Sequence, residues 1–138
     1  MQKILYIDDE VNGATMDSKL DIIKADLRVD FIKVDSVQDA METVHKVIDS
    51  ISLIILDIIM PPERTFSLQE TKGGTTTGLA LLKQIRAAYP KIEIMIISVR
   101  RKDAMKDIIK KYRVAEFLEK PILAASIESA IRKLIFKS

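Results

Sequence analysis

Apolar residues follow two alternating rhythms along the chain. Short runs rich in Ile, Leu and Val occupy residues 3–7, 29–34, 52–56, 92–97 and 114–118. Runs of that length and composition predict strands covered on both faces. Between them, apolar residues recur at helical spacing. Met16, Leu20, Ile23 and Leu27 mark a first helix. Val37, Ala40, Met41, Val44, Val47 and Ile48 mark a second, with Ser36 placed to cap its N-terminus. Leu81, Leu82, Ile85, Ala88 and Tyr89 mark a third, and Met105, Ile108, Ile109 and Tyr112 a fourth. Ile127, Ile131, Leu134 and Ile135 mark the fifth.

Five strands alternating with five helices predict an α/β fold with a parallel sheet. Right-handed crossovers prune the topologies, and the expected architecture is a doubly wound five-stranded parallel sheet of order 2-1-3-4-5. A length of 138 residues fits a single domain, 1–138, large enough to bury a core unaided. One connection breaks the rhythm. From Pro61 to Thr77 the chain carries Gly73, Gly74 and three threonines, which is long for a strand-to-helix loop. An insertion over about 62–77 is therefore expected, serving as a mobile or partner-contacting loop. No Gly-Lys-Ser/Thr follows Gly73-Gly74, so a nucleotide phosphate loop is not indicated.

Composition narrows the function classes. There is no cysteine, which excludes disulfides, thiolate metal sites and a cysteine nucleophile. No apolar run approaches the roughly 20 residues of a membrane span. The N-terminus runs from Lys3 into Ile4-Leu5-Tyr6-Ile7 and then into acid, with no cleavage-type pattern. A soluble cytoplasmic protein without membrane contact is expected. The net charge of +2 is unevenly spread: residues 1–70 hold 7 Lys and Arg against 14 Asp and Glu, residues 71–138 hold 15 against 6. The basic residues are interspersed with apolar ones and aromatics make up 5%, so solvated helix surface is expected rather than direct nucleic-acid binding.

The strand ends carry the chemistry. In an open α/β sheet, ligands bind beyond the C-terminal ends of the strands. The first strand runs into Asp8, Asp9 and Glu10, the third into Asp57, the fourth into Ser98 and the fifth into Lys120-Pro121. Strands one and three would be neighbours, so Asp8, Asp9 and Asp57 would converge. Carboxylates gathered in one cleft repel one another unless a proton or a cation joins them. Mg²⁺ suits such a site, because it takes oxygen ligands and keeps waters and phosphate oxygens. A carboxylate can attack phosphorus to form an acyl phosphate, and that transfer needs cationic help at the equatorial oxygens. Lys120 offers a point charge and Ser98 a hydroxyl donor. Each residue alone has a plainer reading: Asp8-Asp9 as turn formers, Ser98 as a helix cap, Lys120 as surface. Their joint placement at four strand ends is what points to phosphoryl chemistry.

This arrangement resembles the response-regulator receiver domains (CheY-like) of two-component signalling. The matching stretches are Ile7-Asp8-Asp9-Glu10, Leu56-Asp57-Ile58-Ile59-Met60-Pro61, Ile97-Ser98 and Phe117-Leu118-Glu119-Lys120-Pro121, spread over nearly the whole chain. The resemblance implies a flavodoxin-like fold of five βα units with Asp57 as phosphoacceptor. It implies Mg²⁺ bound by Asp9, Asp57 and the Ile59 carbonyl, with Asp8 acting largely through water. It makes Ser98 the residue that senses the phosphoryl group and Phe117 the aromatic that changes rotamer with it. A cis Lys120–Pro121 bond is expected by the same likeness. The implied donor is a phosphohistidine on a sensor histidine kinase or phosphotransfer protein. The implied output is a change on the fourth helix, fifth strand and fifth helix, where a homodimer is also an expectation. Such a chain is no enzyme beyond catalysing its own phosphorylation and dephosphorylation.

Three features depart from that family's pattern. The glycine that usually follows the phosphoacceptor closely matches Gly78 here, across the insertion. Val99 stands where a small residue is usual and would narrow access to Asp57. Ile59 and Arg100 occupy positions that tune phosphoryl lifetime, and Ile59 cannot hold a water through its side chain. The alternative reading is a pseudo-receiver, an interaction module with the fold but no phosphoryl cycle. A phosphatase with an aspartyl nucleophile would need Asp-x-Asp after the first strand, which Asp8-Asp9 does not supply. His45, the one histidine, lies on the second helix away from the strand ends and reads as exposed surface.

Overall fold

The computed structural model describes residues 1–58 and 77–136. The chain runs β1 (Gln2–Ile7), α1 (Ala14–Leu27), β2 (Val29–Val34), α2 (Val37–Val47), β3 (Leu53–Leu56), α3 (Thr77–Ala88) and β4 (Ile94–Ser98). A 3₁₀ turn (Lys102–Met105) then leads into α4 (Lys106–Lys111), β5 (Glu116–Glu119) and α5 (Ala124–Ile135). The five strands form one sheet of order β2-β1-β3-β4-β5, with every pairing parallel. This is the topology the strand–helix alternation predicts.

Alternation along each strand divides the core in two. Leu5, Ile7, Ile54, Leu56, Ile94, Ile96 and Phe117 face the layer of α2, α3 and α4, packing on Val37, Val44, Leu81, Ile85 and Met105. Ile4, Tyr6, Leu53, Ile55, Met95 and Ile97 face α1 and α5, packing on Met16, Leu20, Ile23, Ile127 and Ile131. The central strands β3 and β4 are buried throughout, which is why they read as unbroken apolar runs. Ser36 caps α2 as expected: its Oγ accepts from the Asp39 N–H at 3.4 Å.

Three local expectations need correction. Thr77 is not loop but the first residue of α3, and it is buried; the rest of the 62–77 segment lies outside the described residues. The fourth helix is short. Its stripe begins in the 3₁₀ turn, where Met105 is buried, and the helix stops at Lys111 before Arg113 takes a left-handed φ of 53°. Ala88, read as part of the third helix's apolar face, is exposed, while Arg86 on that helix is buried. The Arg86 guanidinium donates to the carbonyls of Tyr112 (2.8 Å), Ile92 (2.8 Å), Tyr89 (3.2 Å) and Arg113 (3.3 Å). It thus clips the end of α3 to the turn between α4 and β5. Burial, followed by the charge of Arg113, holds its pKa below the ordinary guanidinium value.

His45 is exposed, as expected, and its ring hydrogen-bonds the Tyr89 hydroxyl, with the two rings edge-on at 5.5 Å. Among the described residues, no helix is long and apolar enough to cross a membrane.

Candidate functional site

Register places the site. Tyr6 of β1 pairs with Ile55 of β3, so Asp8 and Asp57, each two residues further on, leave the sheet side by side. The backbone continues that alignment: the Asp57 N–H donates to the Ile7 carbonyl at 3.0 Å, and the Asp8 N–H to the Val34 carbonyl at 3.0 Å. Asp8 is fully buried and Asp57 nearly so, at 0% and 4% exposure. Asp9 is exposed. One carboxylate oxygen from each of Asp8, Asp9 and Asp57 falls within 4.8 Å of the others, a grouping able to hold a metal ion.

Lys120 closes the cluster from β5. Its N–H donates to the Ser98 carbonyl at 2.8 Å, which extends the β4–β5 ladder by one step and aims the side chain. The ammonium donates to Asp8 Oδ2 at 3.0 Å and Asp57 Oδ2 at 3.2 Å, with Glu10 Oε2 at 4.0 Å. Asp8 serves two roles at once, because its Oδ1 accepts from the Glu10 N–H at 2.9 Å and so also shapes the turn. Ser98 is buried at the end of β4, and its Oγ accepts from the Arg100 N–H at 3.2 Å. Phe117 is buried in the layer facing α2, α3 and α4, in register with Ile96 two residues before Ser98. The Lys120–Pro121 bond is cis, as expected. Ile59 lies outside the described residues.

The electrostatics follow from this crowding. Burial opposes the Lys120 charge, but Asp57 and Asp8 outweigh it and hold the ammonium above its ordinary range. The Asp9 carboxyl is held above its ordinary range, first by partial desolvation, then by a hydrogen bond to Asp8 and the charges of Asp8 and Glu10. Tyr6, fully buried on the strand below Asp8, has a hydroxyl without a hydrogen-bond partner among the described residues. Burial, then the charges of Asp8, Asp57 and Glu10, pushes that hydroxyl well above the phenol range. It is locked neutral, and nothing in the apolar run Ile4-Leu5-Tyr6-Ile7 signals it.

A raised carboxyl makes a signed prediction. A group whose folded pKa lies above its unfolded value stabilises the fold as pH falls through the folded value. Asp9 therefore weighs against the metal-free fold at neutral pH, and Asp9→Asn is expected to raise its melting temperature by about 2 °C. The gain should shrink as the pH is lowered toward 4. Thermal melts of both proteins in chelator across that range provide the check, and a clear loss of stability in Asp9→Asn would make Asp9 a structural turn residue.

Val99, expected to narrow access for donor or water, borders the site. Its side chain is 61% exposed and lines a cavity of about 550 Å³ with Met16, Lys19, Lys120, Pro121 and Ile122. Gly78 meets the strand that carries Asp57, donating its N–H to the Ile58 carbonyl at 2.7 Å.

No family model and no curated protein matches the sequence. Solved structures do match. A response regulator receiver domain protein from Clostridium thermocellum is 21% identical, over 99% of this chain and 96% of that one, with a TM-score of 0.74. The chemotaxis protein CheY4 from Vibrio cholerae is 18% identical, over 98% and 99%, with a TM-score of 0.74. A signal receiver domain of two-component signal transduction (histidine kinase) from Clostridium thermocellum is 24% identical, over 97% of each chain, with a TM-score of 0.71. The chain has the receiver-domain fold. Within that fold, the side chains that meet beyond the strands are Asp8, Asp9, Asp57 and Lys120, with Ser98 ending the strand between Asp57 and Lys120. Arg86 belongs to no strand end, and sequence reasoning missed it.

Proposed function

We propose that this receiver fold is a phosphoacceptor: Asp57 takes a phosphoryl group from a phosphohistidine, with Mg²⁺ held by Asp8, Asp9 and Asp57. The observation that carries this reading is the meeting of three carboxylates within 4.8 Å with a partly buried ammonium 3.2 Å from the candidate nucleophile. The donor set fits the ion, since hard carboxylate oxygens are what Mg²⁺ prefers. Bound there, the ion would supply positive charge against the phosphoryl oxygens.

The chain's own residues account for the rest. An Asp57 oxygen attacks phosphorus as the phosphorus–nitrogen bond to the donor imidazole breaks, and the bonding pair leaves with the imidazole nitrogen. Lys120 pairs with Asp57 before transfer and with the phosphoryl oxygens afterwards. The Ser98 hydroxyl exchanges its contact with the Arg100 N–H for one to the phosphoryl group. Phe117, on the same side of the sheet, follows, and the change reaches the face of α4, β5 and α5. Hydrolysis of the acyl phosphate resets the chain, whose catalysis is confined to its own phosphorylation and dephosphorylation. The donor proposed for this chemistry is a sensor histidine kinase or phosphotransfer protein.

The test is intact mass after incubation with acetyl phosphate and Mg²⁺. One acid-stable, base-labile phosphoryl adduct is expected, absent in chelator and absent from Asp57→Ala. An adduct that persists in Asp57→Ala would overturn the assignment of the nucleophile. Failure of the wild type to label with acetyl phosphate, phosphoramidate or a histidine kinase would favour the pseudo-receiver reading.

A further inference from the structure

Phosphoryl transfer to Asp57 does not by itself account for the cavity of about 550 Å³ beside Lys120. Its size falls within the range of sites that take small organic ligands, roughly 300–1,000 Å³. Three stretches of chain beyond the strand ends border it. Met16 comes from the first turn of α1, Val99 from the residue after β4, and Pro121 and Ile122 from the segment after β5. These four side chains form an apolar wall. Two cations complete the lining, Lys19 and Lys120. Lys120 is also the ammonium 3.2 Å from Asp57, so the cavity adjoins the phosphoacceptor.

Lys19 is the member without a counterpart. It lies on α1, partly buried, and its ammonium donates to the Ile122 carbonyl at 2.7 Å. That contact fixes the ammonium at the cavity wall but brings no negative charge. Among the described residues Lys19 has no carboxylate partner. Nearby cations do: Lys24 pairs with Asp30, and Lys33 with Asp17. Glu10 also borders the cavity, but its side chain is 76% exposed and its charge is screened by solvent. An ammonium held against apolar side chains without a counterion favours an anionic group on whatever enters.

We infer that this cavity is a donor subsite for acyl phosphates whose acyl group is apolar and larger than acetyl, with Lys19 receiving the departing carboxylate. The inference rests on Asp57 being the phosphoacceptor. With the phosphoryl group at Lys120 and Asp57, the acyl chain lies along Met16, Val99, Pro121 and Ile122. An Asp57 oxygen forms the new bond to phosphorus, and the bond from phosphorus to the bridging oxygen breaks. The electron pair leaves on the carboxylate, and no proton is transferred. Negative charge thus develops on the leaving group, where Lys19 offers an ammonium already in place. A protonated imidazole leaving group carries no negative charge for Lys19 to meet, so this cation favours a carboxylate over an amine. Acetyl phosphate presents only a methyl group to the apolar wall and makes little use of it.

The experiment compares acetyl, butyryl and hexanoyl phosphate, whose carboxylates are of nearly equal basicity, as donors to the whole protein in Mg²⁺. Initial rates of Asp57 labelling are read by intact mass at donor concentrations far below saturation. Hexanoyl phosphate is expected to label about tenfold faster than acetyl phosphate, with butyryl phosphate between them. Lys19→Met, which keeps the apolar stem and removes the charge, should cut the hexanoyl rate by about tenfold relative to that with phosphoramidate. Lys19→Arg, which keeps the charge and the donor to Ile122, should retain most of the wild-type rate, and Lys24→Met on the same helix should match the wild type. Binding is read apart from chemistry with hexanoylphosphonate, whose carbon–phosphorus bond cannot transfer. Calorimetry in Mg²⁺ should show it binding the wild type more tightly than methylphosphonate, and about tenfold more weakly in Lys19→Met. Equal rates along the acyl series, or a hexanoyl rate untouched by Lys19→Met, would overturn the subsite while leaving Asp57 as acceptor. Equal binding of the two phosphonates would overturn it however Asp57 labels. Labelling by no donor at all would remove the phosphoacceptor reading and the inference with it.

Discussion

Lys120→Ala is expected to slow phosphorylation of Asp57 by roughly 10²–10³-fold, the cost typical of losing one positioned donor to developing charge. It should also destabilise the metal-free protein. The ammonium sits 3.0 Å from Asp8 and 3.2 Å from Asp57, two carboxylates almost wholly buried, and its removal leaves like charges facing each other out of water. Stripping one partner from a buried pair costs about 3–5 kcal/mol when the remaining charge cannot escape. Here it can, by taking up a proton, so a loss of about 2 kcal/mol at pH 8 is expected, shrinking as the pH falls. In the wild type Lys120 is held above the ordinary lysine range, so the stabilisation its charged form contributes is lost as the pH rises through that raised value. Mg²⁺ makes the sharper test. With the ammonium gone, a cation meets less repulsion, and Lys120→Ala should bind Mg²⁺ more tightly while phosphorylating more slowly. Calorimetric titration of Mg²⁺ and initial rates with acetyl phosphate give the two readings. Weaker Mg²⁺ binding in the variant would show that Lys120 orders the carboxylates rather than competing with the ion.

What the sequence revealed of the fold and the site, and what it hid, divides by the kind of contact involved. Strands β3 and β4 were legible because burial on both faces leaves only apolar residues, and the parallel register then fixes where Asp57 and Ser98 emerge. The meeting of Asp8 with Asp57 follows from strand adjacency alone, which is why the cluster could be anticipated before any side chain was placed. Arg86 was hidden because its acceptors are backbone carbonyls at 89, 92, 112 and 113, and carbonyls leave no trace in residue identity. Its neighbours Lys83 and Gln84 are exposed, and Arg86 reads like them. Tyr6 was hidden for the opposite reason: an aromatic in an apolar run signals packing, and its hydroxyl adds no pattern. The fourth helix is shorter than its stripe because Met105, Ile108, Ile109 and Tyr112 keep helical spacing while the backbone begins as a 3₁₀ turn and the helix ends at Lys111.

Gly78→Ala is expected to be the more damaging of the two glycine-to-alanine changes among the described residues. On helix propensity alone, replacing a glycine inside a helix by alanine would stabilise the fold by up to about 1 kcal/mol. Packing reverses the sign. A Cβ at Gly78 would lie 2.1 Å from the Asp57 carbonyl oxygen, 2.4 Å from Ile58 Cα and 2.5 Å from the Ile58 carbonyl oxygen. These are backbone atoms of the chain leaving β3, so no side-chain rotation relieves the clash, and α3 or the end of β3 must move. Overpacking of this kind costs about 1–3 kcal/mol and occasionally more, and a melting temperature lowered by roughly 10 °C is expected. The moving segment carries Asp57, whose distance to Lys120 is set by that backbone. A displacement near 1 Å at a reacting group can cost about a hundredfold in rate, so phosphorylation should fall well beyond any loss of folded protein. Gly13 supplies the comparison. It caps α1, a Cβ there would meet only the Glu10 carbonyl oxygen at 3.2 Å, and Gly13→Ala should cost no more than about 1 kcal/mol. Melting curves and acetyl phosphate labelling of the two variants side by side decide the matter. If Gly78→Ala melts with the wild type and labels at its rate, the approach of α3 to Asp57 is slack, and the glycine is not what holds the phosphoacceptor in place.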